Sequence, residues 1–371
     1  MILAKKIRII PNMEQEQQLW KSVGTARFIY NWTLARQEGN YKNGGKFIKD
    51  GDLRKEITIM KQTEEYKWLK EVSNNVAKQA VKDGCNAYKR FFKGFADKPR
   101  FKSRKKSRPS FYNDNLKLKV KPKMALIEKV GWIKTAEQVP MNIKYTNPRV
   151  SFDGKYWYLS VGVEKENSKV ELTGESIGID VGIKDLAICS NGMTFKNINK
   201  TRLVKKLEKR LRRLQRKISK KYELNKEGRK FVKTSNIIKL EKQIRLLHRR
   251  LSNIRNNYLH QTTTKIVKNK PSRVVMETLN IKGMMKNRHL SKAIAQQGLY
   301  EFKRQLQYKC EFYRIEFVEA DKWYPSSKIC SECGHKKTKL SLSERTYICE
   351  ECGVVIDRDF NASINLSRYS A

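Results

Sequence analysis

The 371-residue chain carries 81 Lys and Arg against 37 Asp and Glu, a formal net charge of +44, with 39% hydrophobic and 10% aromatic residues. That excess implies a polyanionic partner, nucleic acid first, because each neutralised phosphate releases a counterion; ribosomal or chromatin-like packing and an anionic membrane surface are the competing readings. The apolar content is too high for a disordered chain, and no stretch approaches the ~20 apolar residues of a bilayer span.

Residues 2–10 read as a short strand ended by Pro11, too short and too basic for a signal peptide. From Glu14 to about Gly39, Leu19, Trp20, Val23, Phe28, Ile29, Trp32 and Leu34 suit a buried helix, broken by Gly44 and Gly45. Helices around 52–60 and 74–93 complete a compact helical unit. Residues 94–112 then change character: FADKPRFKSRKKSRPSFY mixes Lys and Arg with Phe and Tyr and has no period. Such a loop suits phosphate contact with base stacking; a solvated linker is the alternative. Its Lys102, Arg104, Lys105 and Lys106 are the candidate backbone contacts.

From 115 to 164 the pattern alternates at period 2, with turns at Lys121-Pro122, Asn147-Pro148 and Asp153-Gly154, which predicts a small antiparallel sheet or barrel. A new unit starts near Gly174. IGIDVGIKDLAICSNGMTF reads as three strands, the last joined through a Ser190-Asn191-Gly192 hairpin. Two amphipathic helices follow, with seams Leu203, Leu207, Leu211, Leu214, Ile218 and Leu240, Ile244, Leu247, Leu251, Ile254, turned near 225–228. Their outer faces are basic, and Arg210 and Arg213 join the candidate phosphate contacts. Strand 273–276, a helix at about 291–312, strand 314–320, a cysteine segment and a last helix at about 360–368 follow. Three strands and then alternating helices and strands indicate an α/β layer fold.

Asp180 directly follows the apolar run Ile177–Ile179, and Glu277 directly follows Val274–Met276. Both sit where a buried strand emerges, as site residues of open α/β sheets do. Asp359 opens the last helix and taken alone would be read as a cap. Three such acids in so basic a chain point to paired Mg²⁺ ions, which activate water and neutralise the leaving oxygen of a phosphodiester. His248, His260, His289 and His335 are scattered, and no phosphate-binding G-x-x-x-x-G-K-[ST] loop occurs. Cys330-x-x-Cys333 and Cys349-x-x-Cys352, 15 residues apart, have the spacing of a structural Zn²⁺ ribbon, and Gly334 and Gly353 follow as knuckle turns prefer. Cys85, Cys189 and Cys310 lie in apolar contexts and read as core. Cysteines in metal-binding pairs imply a reducing compartment, the bacterial cytoplasm, on the nucleoid.

RFIYNWTL, FFKGFADKPRFKSRKK, IGIDVGIKDLA, METLNIKGMMKNRHLSKAI, YPSSKICSECG and CGVVIDRDFNASINL together resemble the TnpB (OrfB) family of transposon-encoded proteins, over nearly the whole chain. The resemblance implies an RNA-guided, Mg²⁺-dependent DNA endonuclease related to type V CRISPR effectors. It implies a wedge β-barrel (1–11 and 113–173) and a helical recognition lobe (12–112). It also implies an RNase H-like (RuvC) nuclease domain with an inserted helical hairpin (174–329 and 354–371) and a zinc ribbon (330–353). The family's acidic triad carries over onto Asp180, Glu277 and Asp359; Asp359 is chosen over Asp357 because the acid stands two before the Asn, here Asn361. Ser363 replaces a common Ala. Asn75 and Gln79, one helical turn apart, match the amide-bearing helix that reads a transposon-adjacent motif; an exposed polar face is the alternative. The implied cofactors are two Mg²⁺ and one Zn²⁺. The implied partners are a guide RNA from the transposon end and double-stranded target DNA, with no membrane and a monomeric protein in the ribonucleoprotein. A strand-transfer transposase and a nuclease-inactive regulator of the same family are the other functions considered.

Overall fold

The computed structural model describes residues 1–104, 106–228, 230–341 and 343–370, and the chain divides into two compact units, Met1–Lys165 and Glu166–Ala371. The boundary precedes the Gly174 start expected from the pattern. Asn167 Nδ2 donates to the Glu311 carbonyl and Ser168 N to that of Phe312, tying this segment to the second unit.

The first unit begins with β1 (Ile2–Ile10), then α1 (Met13–Lys42), α2 (Asp50–Met60) and α3 (Asn74–Phe92), with a 3₁₀ stretch at Glu64–Glu71 that the sequence pattern did not reveal. Asn12 and Gln15 form a reciprocal capping box that fixes the start of α1. Strands β2 (Ser110–Tyr112), β3 (Lys119–Lys121), β4 (Met124–Ile127), β5 (Gly131–Thr135), β6 (Tyr145–Phe152) and β7 (Trp157–Glu164) complete the unit. The seven strands form one sheet in the order β2-β6-β7-β1-β5-β4-β3, every pairing antiparallel. The end of the basic loop is thus a sheet edge and not coil. Helix α1 serves two cores. Its first turns pack Leu19 and Val23 on the sheet, and Ile29 further on meets Leu53, Ile57 and Val81 of α2 and α3. Trp20, expected to be buried, is 39% exposed.

The second unit opens with β8 (Ser176–Val181), β9 (Asp185–Cys189) and β10 (Thr194–Lys196), then α4 (Arg202–Leu224), a two-residue ribbon β11 (Lys226–Glu227) and β12 (Lys230–Phe231), and α5 (Ser235–Lys268). In the hairpin Val204 takes the buried place expected for Leu203, which is 49% exposed. Strand β13 (Arg273–Glu277), α6 (Ile281–Met284), α7 (Ser291–Gln297), α8 (Leu299–Tyr313), β14 (Glu316–Ala320), β15 (Thr346–Ile348), β16 (Val355–Asp357) and α9 (Arg358–Ser367) follow. The helix expected at 291–312 is two, because Gly298 stands at φ +71°, a left-handed conformation that ends one helix and starts the next.

The main sheet runs β10-β9-β8-β13-β14, with β8, β13 and β14 parallel and β9 and β10 antiparallel. Strand alternation assigns its two faces. Ile177, Ile179, Val181, Val274 and Met276 pack against Leu259 and Ile266 of α5 and Phe302 and Leu306 of α8. Each such fully buried side chain contributes roughly 1.5–3 kcal/mol. Gly178 and Val275 turn the other way, toward α9, where Val275 meets Leu366. Cys85, Cys189 and Cys310 are buried in the two cores, at 1%, 0% and 0% exposure, as expected. No helix among the described residues is long and apolar enough to cross a membrane.

A Cβ added at Gly178 would stand 2.0 Å from the Ser363 carbonyl oxygen and 2.3 Å from Ser367 N, so only glycine lets α9 lie so close to β8. Gly178→Ala is expected to cost about 1–3 kcal/mol through overpacking. Urea unfolding of the full chain measures it, and an unchanged midpoint would contradict so tight an approach.

Candidate active site and metal centre

The same alternation that sends Ile177, Ile179, Val274 and Met276 into the core sends Asp180 and Glu277 to the α9 face. Strands β8 and β13 are parallel, with Met276 opposite Ile179, so the next residue on each, Glu277 and Asp180, stand at the same level near the ends of adjacent strands. Helix α9 crosses this face and brings Asp359 from its first turn. The sequence separates the three acids widely; the sheet register and one close helix contact gather them.

Two of the three carboxylates are perturbed by their acidic neighbours. Burial, then the charges of Glu277 and Asp359, pushes the Asp180 carboxyl well above the usual carboxylate range. Burial and then Asp359 push Glu277 up to about 7. Arg358 acts in the opposite sense: its guanidinium donates to Asp359 Oδ1 (Nη2 at 3.1 Å) and draws the Asp180 carboxyl down. Arg345 stands 3.8 Å from Asp359 Oδ2. Asp357 is spent on structure, since its side chain caps α9 by accepting from Asp359 N and Phe360 N, both at 3.0 Å. That separates the two acids of DRD physically. Asp180 and Glu277, half-buried beside a third acid and holding their protons too tightly, mark a site short of positive charge, which fits divalent cations with oxygen ligands.

The cysteines form a second centre. Cys330, Cys333, Cys349 and Cys352 bring their sulfurs within 4.8 Å of one another, the one such cluster of His, Cys, Asp or Glu among the described residues. The three carboxylates are more widely spaced. Cys330 and Cys352 Sγ lie 3.7 Å apart and Cys333 and Cys349 Sγ 3.5 Å. Sulfurs at ~2.3 Å from a shared tetrahedral ion would stand roughly 3.8 Å apart, so the set fits zinc and not disulfides. Both knuckles fold alike. Gly334 N and Gly353 N donate to the carbonyls of Cys330 and Cys349, with the two glycines at φ +76° and +71°. Backbone N–H groups of Cys352 and Glu351 help draw the Cys349 thiol down to about 6.

The two centres are mechanically joined. Strand β16 runs straight into α9, and two buried asparagines of α9 bind the segment leading into the first knuckle. Asn361 accepts from Ser331 N (2.8 Å) and donates to the Ile329 carbonyl (2.7 Å), while Asn365 donates to the carbonyls of Ser326 and Ile329. In the sequence Asn361 serves only to mark the position of the acid two residues before it. The available signal was a pair of amides at i and i+4 among apolar residues, a pattern that requires satisfied partners.

The other candidates are dispersed. In the first unit, Asn75 and Gln79 are half-buried on α3; Asn75 Nδ2 donates to Glu128 (3.0 Å) and Gln79 Nε2 to Asp83 (2.8 Å), which Arg149 grips in a bidentate pair. Those carboxylates fix which way the amides face, and they come from positions distant in the chain or one turn on. Lys102 is anchored: Asn31 bonds both its main-chain groups, and its amine stands 3.6 Å above the Tyr30 ring. Arg104 and Lys106 are exposed, and Lys105 lies outside the described residues. Arg210 and Arg213 are exposed on α4 of the second unit.

Because Glu277 holds its proton more tightly folded (about 7) than at its ordinary value of 4.5, its contribution is present below about 4.5 and lost as pH rises through about 7. In Mg²⁺-free buffer, Glu277→Gln should remove that decline, so the variant gains stability relative to the parent between about pH 5 and 8. Thermal melts across that range measure it, and parallel profiles would show the carboxyl unperturbed.

Three family models match: one described as "Helix-turn-helix domain" over residues 1–46, one described as "Probable transposase" over 159–288, and one described as "Cas12f1-like, TNB domain" over 300–366. Over the first of these spans the structure has a strand and one continuous helix. The chain is 30% identical to the "Putative RNA-guided DNA endonuclease InsQ" of Escherichia coli K12, covering 98% of this chain and 91% of that protein. It is also 30% identical to a "Putative RNA-guided DNA endonuclease" of Streptomyces pristinaespiralis, covering 98% and 88%. Its fold is similar to the protein in a "Cas12f1-sgRNA-target DNA complex", at TM-score 0.61 and 15% identity, over 95% of this chain and 83% of that one. Full-length similarity at this level, with family models over both the strand-rich middle and the cysteine-bearing C-terminal segment, establishes that the chain belongs to the IS605 OrfB/TnpB family.

Proposed function

We propose that this protein is an RNA-guided DNA endonuclease, encoded by a transposable element, that cuts target DNA beside a short element-adjacent motif. The observation that carries the reading is the meeting of Asp180, Glu277 and Asp359 on one sheet face within a chain of net charge +44. The relatives named as RNA-guided DNA endonucleases support it. On this reading residues 174–329 and 354–371 are the RuvC-like domain and 330–353 the zinc ribbon. Residues 1–11 with 113–165 would be the wedge and 12–112 the recognition lobe, while 166–173, expected in the wedge, belongs to the second unit.

Asp180, Glu277 and Asp359 would hold two Mg²⁺ ions, which supply an activated water and neutralise the leaving oxygen. The chain's own contribution is placement. Asp180 and Glu277 are fixed by neighbouring strands, and Asp359 is held by the Arg358 guanidinium and by the capped start of α9. Arg345 and Arg358 provide positive charge beside the acids, where a scissile phosphate carries its negative charge. Zn²⁺ on the four cysteines would stiffen the ribbon that leads into α9, and so hold Asp359 in register. Asn75 and Gln79 would read base edges, and the basic loop with Arg210 and Arg213 would bear backbone phosphates.

Sequencing the RNA that co-purifies with the protein supplies the guide, and a plasmid library with randomised flanks then reveals the motif. Asp180→Ala is expected to abolish Mg²⁺-dependent cutting of the matched plasmid while leaving DNA binding largely intact. Retained cutting removes Asp180 from the triad, and joined strands in place of free ends would favour transposase chemistry. Cys330→Ser should lower bound zinc from about one ion per chain and depress the melting temperature. Unchanged zinc content and melting would refute the structural site.

A further inference from the structure

Strand β8 carries Asp180 and runs into a turn, residues 182–184, that leads to β9. A surface turn can leave its carbonyls to water. In this one every carbonyl from Gly182 to Asp185 accepts from a side chain outside the turn. Gln297 Nε2 donates to the Gly182 carbonyl at 2.9 Å and to that of Asp185 at 3.4 Å. Asn197 Nδ2 donates to the Ile183 carbonyl at 2.8 Å, and Lys200 Nζ to that of Lys184 at 2.9 Å. Gln297 and Asn197 are buried, at 4% and 7% exposure. Buried amides placed on these carbonyls are costly to remove, because each loss leaves a polar group without a partner.

Gln297 is the last residue of α7, which Gly298 ends. Helix α7 belongs to the segment that follows Glu277, so one side chain ties the chain after Glu277 to the chain after Asp180. That clamp is itself held. Asn199 Nδ2 donates to the Gln296 carbonyl (3.2 Å) and to Gln297 Oε1 (3.4 Å). Asn199 Oδ1 accepts from Arg255 Nε at 2.7 Å, and Arg255 Nη2 and Gln296 Nε2 both reach Glu208 Oε1 at 2.8 Å. A continuous hydrogen-bonded chain therefore runs from the α4–α5 hairpin through α7 to the turn. Seating α7 does not call for it, since Ile294 on the same helix is already buried.

We infer that Gln297 is a positioning residue of the acidic centre: by gripping the turn after Asp180, it sets where Asp180 stands beside Glu277. The inference rests on the proposed metal-dependent nuclease reading and adds a residue to it that touches no reacting atom. Among the described residues no hydrogen bond joins Gln297 to either carboxylate, so it acts through the backbone of the turn alone. Carbonyls held at both ends of the turn keep the end of β8 from twisting or sliding against β13. Small divalent cations such as Mg²⁺ demand near-ideal ligand geometry, so a displacement of ~1 Å at one carboxylate weakens joint coordination. Groups that orient metal ligands without touching the ion act in this way.

The test separates geometry from stability. Zinc-replete full-length protein, freed of RNA in high salt, is titrated calorimetrically with Mn²⁺, with Asp180→Ala as the blank. The ribonucleoprotein carrying its co-purified RNA is assayed for cutting across a Mg²⁺ series. Gln297→Met keeps the length of the side chain and removes its amide. It should weaken Mn²⁺ binding about tenfold and raise the Mg²⁺ midpoint of cutting by a similar factor. Gln305→Met is the control, because Gln305 is also buried but spends its amide on Glu301 and Thr263. It should lower the melting temperature as Gln297→Met does and leave both metal midpoints unchanged. If Gln297→Met does not fold, Asn199→Ala removes a support of Gln297 and leaves its grip on the turn, and should shift both midpoints the same way by a smaller factor. Midpoints equal to the parent's in these variants, or equal shifts in Gln297→Met and Gln305→Met, overturn the positioning role. Mn²⁺ binding that Asp180→Ala leaves intact refutes the acidic centre itself, and the positioning role with it.

Discussion

The candidate active site depends on one close contact, that of α9 with β8 at Gly178. The backbone of α9 comes so near that a single methyl group on β8 would overlap it. Because of this approach, a residue from the first turn of α9 shares a face with the ends of β8 and β13. Without it Asp359 would stand away from Asp180 and Glu277, and the electrostatic coupling among the three acids would vanish. The contact is apolar at its centre, where Leu366 meets Val275 and Ala320. Its far end is hydrogen-bonded, where Asn361 and Asn365 hold the segment before the cysteine knuckle.

That arrangement gives the cysteine ribbon a role beyond local stability. Strand β16 ends in the residue that caps α9, and the buried asparagines bind the opposite knuckle, so α9 is held from both sides of the ribbon. A metal on the four sulfurs would therefore act on the acidic centre through geometry alone. Closed tetrahedral thiolate sites leave no position for substrate, which agrees with a supporting part.

Electrostatics divides the molecule into two kinds of place. Most of the surface is positive and suits a polyanion by its sum. The acidic centre is the exception, a small half-buried group of carboxylates that a phosphate backbone alone would avoid. Cations held there would reconcile the two, drawing the nucleic acid toward the acids that otherwise repel it.

By itself the sequence determined most element types and the two cysteine knuckles, and it marked Asp180 and Glu277 as carboxylates that follow buried apolar runs. Strand alternation, glycine at tight turns and apolar runs ending in a carboxylate are local properties, carried by residues close together in the chain. Local pattern also set the helical hairpin, though it chose Leu203 where Val204 is buried, since neighbouring apolar residues at a helix start differ only in which way the helix faces. It ran one helix through Gly298, whose positive φ becomes visible only in the folded backbone. The tertiary structure alone decided that Asp357 caps while Asp359 joins the cluster, that Asn361 and Asn365 staple the ribbon to α9, and that Glu128, Asp83 and Arg149 orient the amides of α3. Each is a relation between segments far apart in sequence. Such pairings arise from sheet register and helix packing, which no single segment encodes.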